Sequence, residues 1–172
     1  VGPSGIAVSA EGEVFVCDRY NHRVQAFSTG GELLRVLGSG ERSEAPGSFK
    51  EPFGCACAGG RLYVSEWHGH RIQVLTPRGE PLQVVKVPRA ECYGGLFFLP
   101  APPPRPSVSA DPAVTAGPTR LCLLEPMSGV LHVLSVAAGA DDLAVAGQVA
   151  GQTAGQTAGH AAGHAAGHAA GH

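Results

Sequence analysis

The sequence predicts an all-β chain built from repeated four-stranded antiparallel units. Three observations carry that expectation. The stretch Asp18-Arg19-Tyr20-Asn21-His22-Arg23-Val24-Gln25-Ala26-Phe27 returns 48 residues later as Glu66-Trp67-His68-Gly69-His70-Arg71-Ile72-Gln73-Val74-Leu75. Each copy holds four short runs rich in β-branched and aromatic residues, separated by Gly, Pro, Asn and Asp turns. No segment carries a sustained helical apolar period with caps. A repeat of about 40–50 residues made of short strands marks the blade of a propeller.

The elements follow in order. The first strand of each unit is Pro3-Ser4-Gly5-Ile6-Ala7-Val8 in copy one and Pro52-Phe53-Gly54-Cys55-Ala56-Cys57 in copy two. A turn follows, through Gly12 or through Gly59-Gly60. The second strand is Val14-Phe15-Val16 or Leu62-Tyr63-Val64. An acidic residue and a polar loop ending in His-Arg come next. The third strand runs from Val24 to Phe27 or from Ile72 to Leu75. Gly30-Gly31 or Gly79 then turns the chain into a fourth strand, Leu33 to Leu37 or Leu82 to Val87.

These two copies resemble NHL repeats. The triplet position reads Asn21-His22-Arg23 and Gly69-His70-Arg71, and the flanking patterns Pro-x-Gly, Val-x-Val and His-Arg-Val-Gln fit as well. The lead-in Gly47-Ser48-Phe49 before Pro52 belongs to the same pattern. The resemblance covers roughly residues 1–87. A degraded third copy aligns Arg120-Leu121-Cys122-Leu123-Leu124-Glu125 with Arg61 to Glu66, at an offset of 59. It places Gly129-Val130 where the His-Arg pair stands in the others. The longer offset is explained by a Pro-rich insert at 100–118, read as a surface loop because Pro removes ladder donors.

The expected organisation is a partial propeller of about three blades over 1–147, near 1–45, 46–90 and 91–147. A low-complexity tail follows over 148–172. Propellers close with about four to eight blades. Three therefore point to a fragment of a longer propeller, or else to two chains pairing into one ring. Unclosed edges favour association. In the tail, His160, His164, His168 and His172 are spaced by four, which on a helix would place them on one face. Each unit also carries a Gly, at about 1 kcal/mol against helix relative to Ala. The tail is read as disordered, with no metal site.

Composition excludes several classes. The net charge is −2 and the pI about 6.5, with no basic excess of the kind that marks nucleic-acid binding. No run of 18 apolar residues encodes a membrane span. The five cysteines are Cys17, Cys55, Cys57, Cys92 and Cys122. They match no zinc spacing and read as small buried hydrophobes in a reducing, cytoplasmic setting. No nucleophile elbow, phosphate-cradling loop or His-Glu-x-x-His helix is present, so no catalytic residue and no cofactor is assigned.

The loop between second and third strands is the candidate surface. Asp18, His22, Arg23, Glu66, His70 and Arg71 recur at matching positions and read as the structural repeat motif, turn caps and acid–Arg pairs. Arg19, Tyr20, Trp67 and His68 vary between copies and are the expected partner-binding residues, because exposed Trp, Tyr and Arg anchor interfaces. The NHL resemblance implies a non-enzymatic recognition scaffold for a protein partner, in many members attached to ubiquitin ligation, though no RING ligand spacing is present. Two alternatives stand beside it. One is single-stranded RNA held on a propeller face through Arg19, Arg23, Arg71 and Tyr20. The other is a metal-dependent hydrolase or lyase of propeller type, for which the recurrent Asp18, Glu66 and Glu125 would be the carboxylates.

Overall fold

A computed structural model describes residues 2–86, 95–99, 119–125, 130–136 and 143–150. They form three antiparallel sheets of four strands, each a simple meander. Blade one contains β1 (Pro3–Val8), β2 (Val14–Asp18), β3 (Arg23–Phe27) and β4 (Leu33–Leu37). Blade two contains β5 (Pro52–Ala58), β6 (Arg61–Glu66), β7 (Arg71–Leu75) and β8 (Pro81–Lys86). Blade three contains β9 (Leu96–Leu99), β10 (Thr119–Glu125), β11 (Val130–Val136) and β12 (Leu143–Ala150). The last strand thus reaches Ala150, past residue 147. The insert at 100–118, Cys92 and the four-spaced histidines of the tail lie outside the described residues.

Register reproduces the repeat. Asp18 pairs with Arg23, Glu66 with Arg71 and Glu125 with Val130, so the second-to-third-strand loop closes at the same place in all three blades. The next turn is also the same twice. Ser28 N–H donates to Glu32 O and Thr76 N–H to Glu80 O, both at 2.9 Å. Gly31 and Gly79 sit at φ of 86° and 92° in these turns, a conformation that an L side chain resists.

The blades stack face to face, with β1 and β2 against β5, and β5 and β6 against β9. Because side chains alternate across a sheet, blade two feeds two cores. Leu62, Val64 and Leu75 join Phe15, Val24 and Leu37 of blade one. Tyr63, Ile72 and Val74 join Leu96, Leu121 and Leu123 of blade three. Every residue of β7 is therefore buried, whereas its counterpart β3 alternates between buried and half-buried. Each fully buried Leu or Ile contributes about 1.5–3 kcal/mol of transfer free energy. Cys17 and Cys55 lie in the first of these cores, with Cys57 packed against it.

Candidate functional site

The site is built on the loops that join the second and third strands of blades one and two. In blade one, β2 ends at Asp18 and a 3-10 turn, Arg19–Asn21, follows. His22 then adopts a left-handed φ of 51° immediately before β3. In blade two His70 does the same at φ 48° before β7. His is among the non-glycine residues that enter this region most readily.

The recurrent acids hold these loops from beneath. The Asp18 carboxylate accepts from Asn21 Nδ2 at 2.9 Å and from Arg23 Nε at 2.8 Å. Glu66, fully buried, accepts from Arg71 Nε at 2.7 Å, Gln73 Nε2 at 2.7 Å and the Lys50 N–H at 2.9 Å. The longer acid explains the change from Asn21 to Gly69. A Cβ at position 69 would stand 2.4 Å from Glu66 Oε2. The two carboxyls are tuned in opposite directions. Burial pushes Asp18 up, but the Asn21 and Arg23 bonds outweigh it and hold it below the usual range. Burial pushes Glu66 up and prevails over the pull of Arg71 and Gln73.

Above this base lies a stacked cluster that spans the two blades. The Arg19 guanidinium carbon is 4.6 Å from the Trp67 ring centroid, 4.9 Å from Tyr20 and 5.4 Å from Phe53. Phe53 and Trp67 stack on each other at 4.9 Å with a 36° tilt. Arg19 also donates to Glu51 Oε2, from Nη2 at 2.9 Å and from Nε at 3.1 Å. The other oxygen of Glu51 lies 3.5 Å from His68 Nε2. The Glu51 main chain is engaged too. Its N–H donates to His22 Nδ1 at 3.2 Å and its carbonyl accepts from Trp67 N–H at 2.9 Å. Glu51 does this at φ 59°, immediately before Pro52. A residue before proline is driven toward extended backbone, so this conformation is held by its four partners at a cost of roughly 1–3 kcal/mol.

The structure thus brings Arg19, Tyr20, Trp67 and His68 into one cluster and places Asp18, His22, Arg23, Glu66, His70 and Arg71 in or at the ends of the same two loops. Arg19 is an internal member, its side chain 17% exposed, while Tyr20 is 56% exposed and His68 44%. Glu51 and Phe53 are members that sequence reasoning did not name. The only signal for Glu51 is its place before the proline that opens a blade, and Phe53 is read from sequence as a first-strand residue. Glu125 stands at the end of β10, in the register position of Asp18 and Glu66. Among the described residues no group of three His, Cys, Asp or Glu side chains is placed to hold a metal.

Residues 1–27 match the family model of the NHL repeat. No curated protein sequence matches the chain. Solved structures share its architecture at low identity. Virginiamycin B lyase from Staphylococcus aureus superposes with a TM-score of 0.51 at 15% identity, over 78% of this chain and 38% of that one. A catalytically inactive form of that lyase with quinupristin gives 0.55 at 14%, over 88% and 42%. The WD40 repeats of RRP9 give 0.56 at 15%, over 79% and 36%. The chain therefore spans well under half the length of these propellers, and what it shares with them is fold. Residues 1–27 thus carry an NHL repeat, and the three packed four-stranded meanders have the architecture of a β-propeller.

Proposed function

We propose that this chain is a non-enzymatic recognition scaffold whose partner is a protein, seated on the Arg19–Trp67 cluster. The carrying observation is a stacked aromatic shelf that crosses a blade boundary, with Tyr20 and His68 exposed at its surface. Tyr, Trp and Arg in such clusters are the usual anchors of protein interfaces. The shelf is rigid before binding, because Glu51 ties it to both loops, and a preorganised surface loses little entropy on association.

Charge use favours a protein over RNA. Arg19 is paired with Glu51, Arg23 with Asp18 and Arg71 with Glu66. The arginines that would reach phosphates thus already serve carboxylates. One face of the Trp67 ring is occupied by the Arg19 guanidinium, leaving less of it for base stacking. Catalysis draws little support for a similar reason, since Asp18 and Glu66 are engaged within their own blades. A link to ubiquitin ligation would need a ligase module beyond these residues.

The test compares the immobilised wild-type chain with a Tyr20→Ala/Trp67→Ala variant against one cell extract, with and without ribonuclease, at 50 and 200 mM salt. A protein retained after ribonuclease treatment and lost from the variant supports the reading. Retention of RNA that collapses between the two salts, as counterion release dictates, overturns the choice of partner. Retention unchanged in the variant overturns the site.

A further inference from the structure

A groove runs between strand β8 and the segment that leads from β4 into β5. One part of it, a cavity of about 450 Å³, is walled by Glu44 and Pro46 of that segment, His70 and Arg71 of the blade-two loop, and Val84 and Lys86 of β8. A second cavity, of about 300 Å³, shares Glu44 and is bounded by Arg42, Ser43 and Lys50. Both walls belong to blade two and the segment before it. That segment is held in place, since Arg71 donates to the carbonyls of Glu44 and Ser48 and Gln73 Nε2 donates to Ser48 O.

The lining is basic apart from one acid. Arg42, Lys50, His70, Arg71 and Lys86 face the two cavities, and Glu44 is the single carboxylate among them. Arg71 is committed to Glu66 and the segment's carbonyls. Arg42 and Lys86 are exposed, and neither side chain makes an ion pair or hydrogen bond among the described residues. Glu44 reaches Lys50 Nζ at 2.7 Å while its own side chain stays 74% exposed. Lys50, and then the fields of Arg71 and Lys86, hold its carboxyl below the usual range. Glu44 is thus a carboxylate seated among cations from both walls, by an exposed ion pair of the kind that exchanges readily.

We propose that this groove binds an extended acidic segment of a polypeptide, whose carboxylates displace Glu44 from Lys50 and reach Arg42 and Lys86. The site is separate from the Arg19–Trp67 shelf and goes beyond it. Glu44 shows the chemistry the groove accepts, because the group already seated there is a carboxylate. Two cavities that share this residue exceed what one small anion fills, so the occupant is a run of residues. Pro46 and Val84 give the wall an apolar part, which suits an aliphatic residue between acids. Neither cavity is lined by Phe, Tyr or Trp. A nucleic acid would therefore find charge there without a platform for its bases.

The experiment titrates a dye-labelled, end-capped peptide of alternating Glu and Leu into the full 172-residue chain, followed by fluorescence anisotropy at 50 and 200 mM salt. Saturable binding is expected, weaker at the higher salt because the charges are exposed. The Arg42→Ala/Lys86→Ala double variant should weaken it about fivefold or more, the scale of two exposed ion pairs. Glu44→Gln should tighten it severalfold by removing the internal competitor, whereas Glu32→Gln, in the turn before β4, should change nothing. Trp67→Ala should also leave it unchanged, so a failed groove and a failed shelf are told apart. No saturation at millimolar peptide, or equal binding by the double variant, would overturn the proposal. So would a Glu44→Gln effect no larger than that of Glu32→Gln, or loss of binding in Trp67→Ala. Tighter binding of a single-stranded RNA of equal charge, lost in the same double variant, would overturn the choice of ligand.

Discussion

Arg19 and Trp67 occupy the same position in successive blades and stack on one another, guanidinium carbon to ring centroid 4.6 Å. A variable position of the repeat is thereby used twice in one contact. The guanidinium is also held by Glu51 at 2.9 Å, so it meets the ring as a fixed plane. This contact joins the loops of two successive blades.

That stack has a measurable coupling. In a double-mutant cycle of Arg19→Ala and Trp67→Ala, followed by urea unfolding, the interaction energy should be about 0.5–2 kcal/mol, the range of a partly desolvated cation–π pair. Additive effects of the two substitutions would contradict the stack.

The two repeat arginines should differ in worth. Arg71→Ala leaves the buried Glu66 carboxylate without its ion partner and releases the loop at Glu44 and Ser48. The expected cost is about 3–5 kcal/mol. Arg23→Ala breaks an ion pair whose Arg side chain is 35% exposed, and about 1 kcal/mol is expected. Chemical denaturation of both variants orders them, and equal losses would refute the difference in burial.

The two repeat acids should respond to pH with opposite sign. Asp18 is held below its ordinary value, so its contribution is present above the unfolded pKa of about 3.9 and is lost as pH falls through the lower folded value. Burial raises Glu66, so its contribution is fully present below about 4.3 and declines as pH rises through the higher folded value. The stability gap between wild type and Asp18→Asn should therefore widen as pH rises from acid. The gap to Glu66→Gln should narrow over the range above pH 4. Thermal unfolding from pH 3 to 7 measures both, and parallel trends would contradict the assignment.

The thiols at the boundary of blades one and two should be slow. Burial pushes Cys57 up to about 12, and the hydrogen bond that the Cys17 thiol makes to Cys55, with burial, holds Cys17 well above the usual thiol range. At pH 8 the thiolate fraction of Cys57 should be about a thousandfold below that of a free cysteine. Alkylation of the native chain with site-by-site mass spectrometry checks this. Rapid modification of Cys57 at pH 8 would contradict the packing.

The strands were legible because their causes are local. Alternating apolar residues, paired glycine turns and an acid five residues before an Arg all lie within one blade, and the acid–Arg pair simply closes a loop between neighbouring strands. The arginine clusters and the half-exposed face of β3 were not legible, because they depend on which blade covers which. Arg19 and Glu51 are 32 residues apart and meet only when blade one stacks on blade two. Nothing near Glu51 announces its left-handed turn. For the same reason Arg19 looked from sequence like a surface anchor, whereas stacking turns it inward and leaves Tyr20 as the exposed member.

The central claim is that the shelf around Trp67 seats a protein. A photo-reactive phenylalanine derivative placed at Tyr20 tests it most directly, with irradiation in ribonuclease-treated extract and mass readout of the adduct. The account predicts a discrete protein adduct that disappears when Trp67→Ala is added and persists when the probe-bearing chain also carries Leu82→Ala on the exposed part of β8. No adduct, or one indifferent to Trp67, would contradict it.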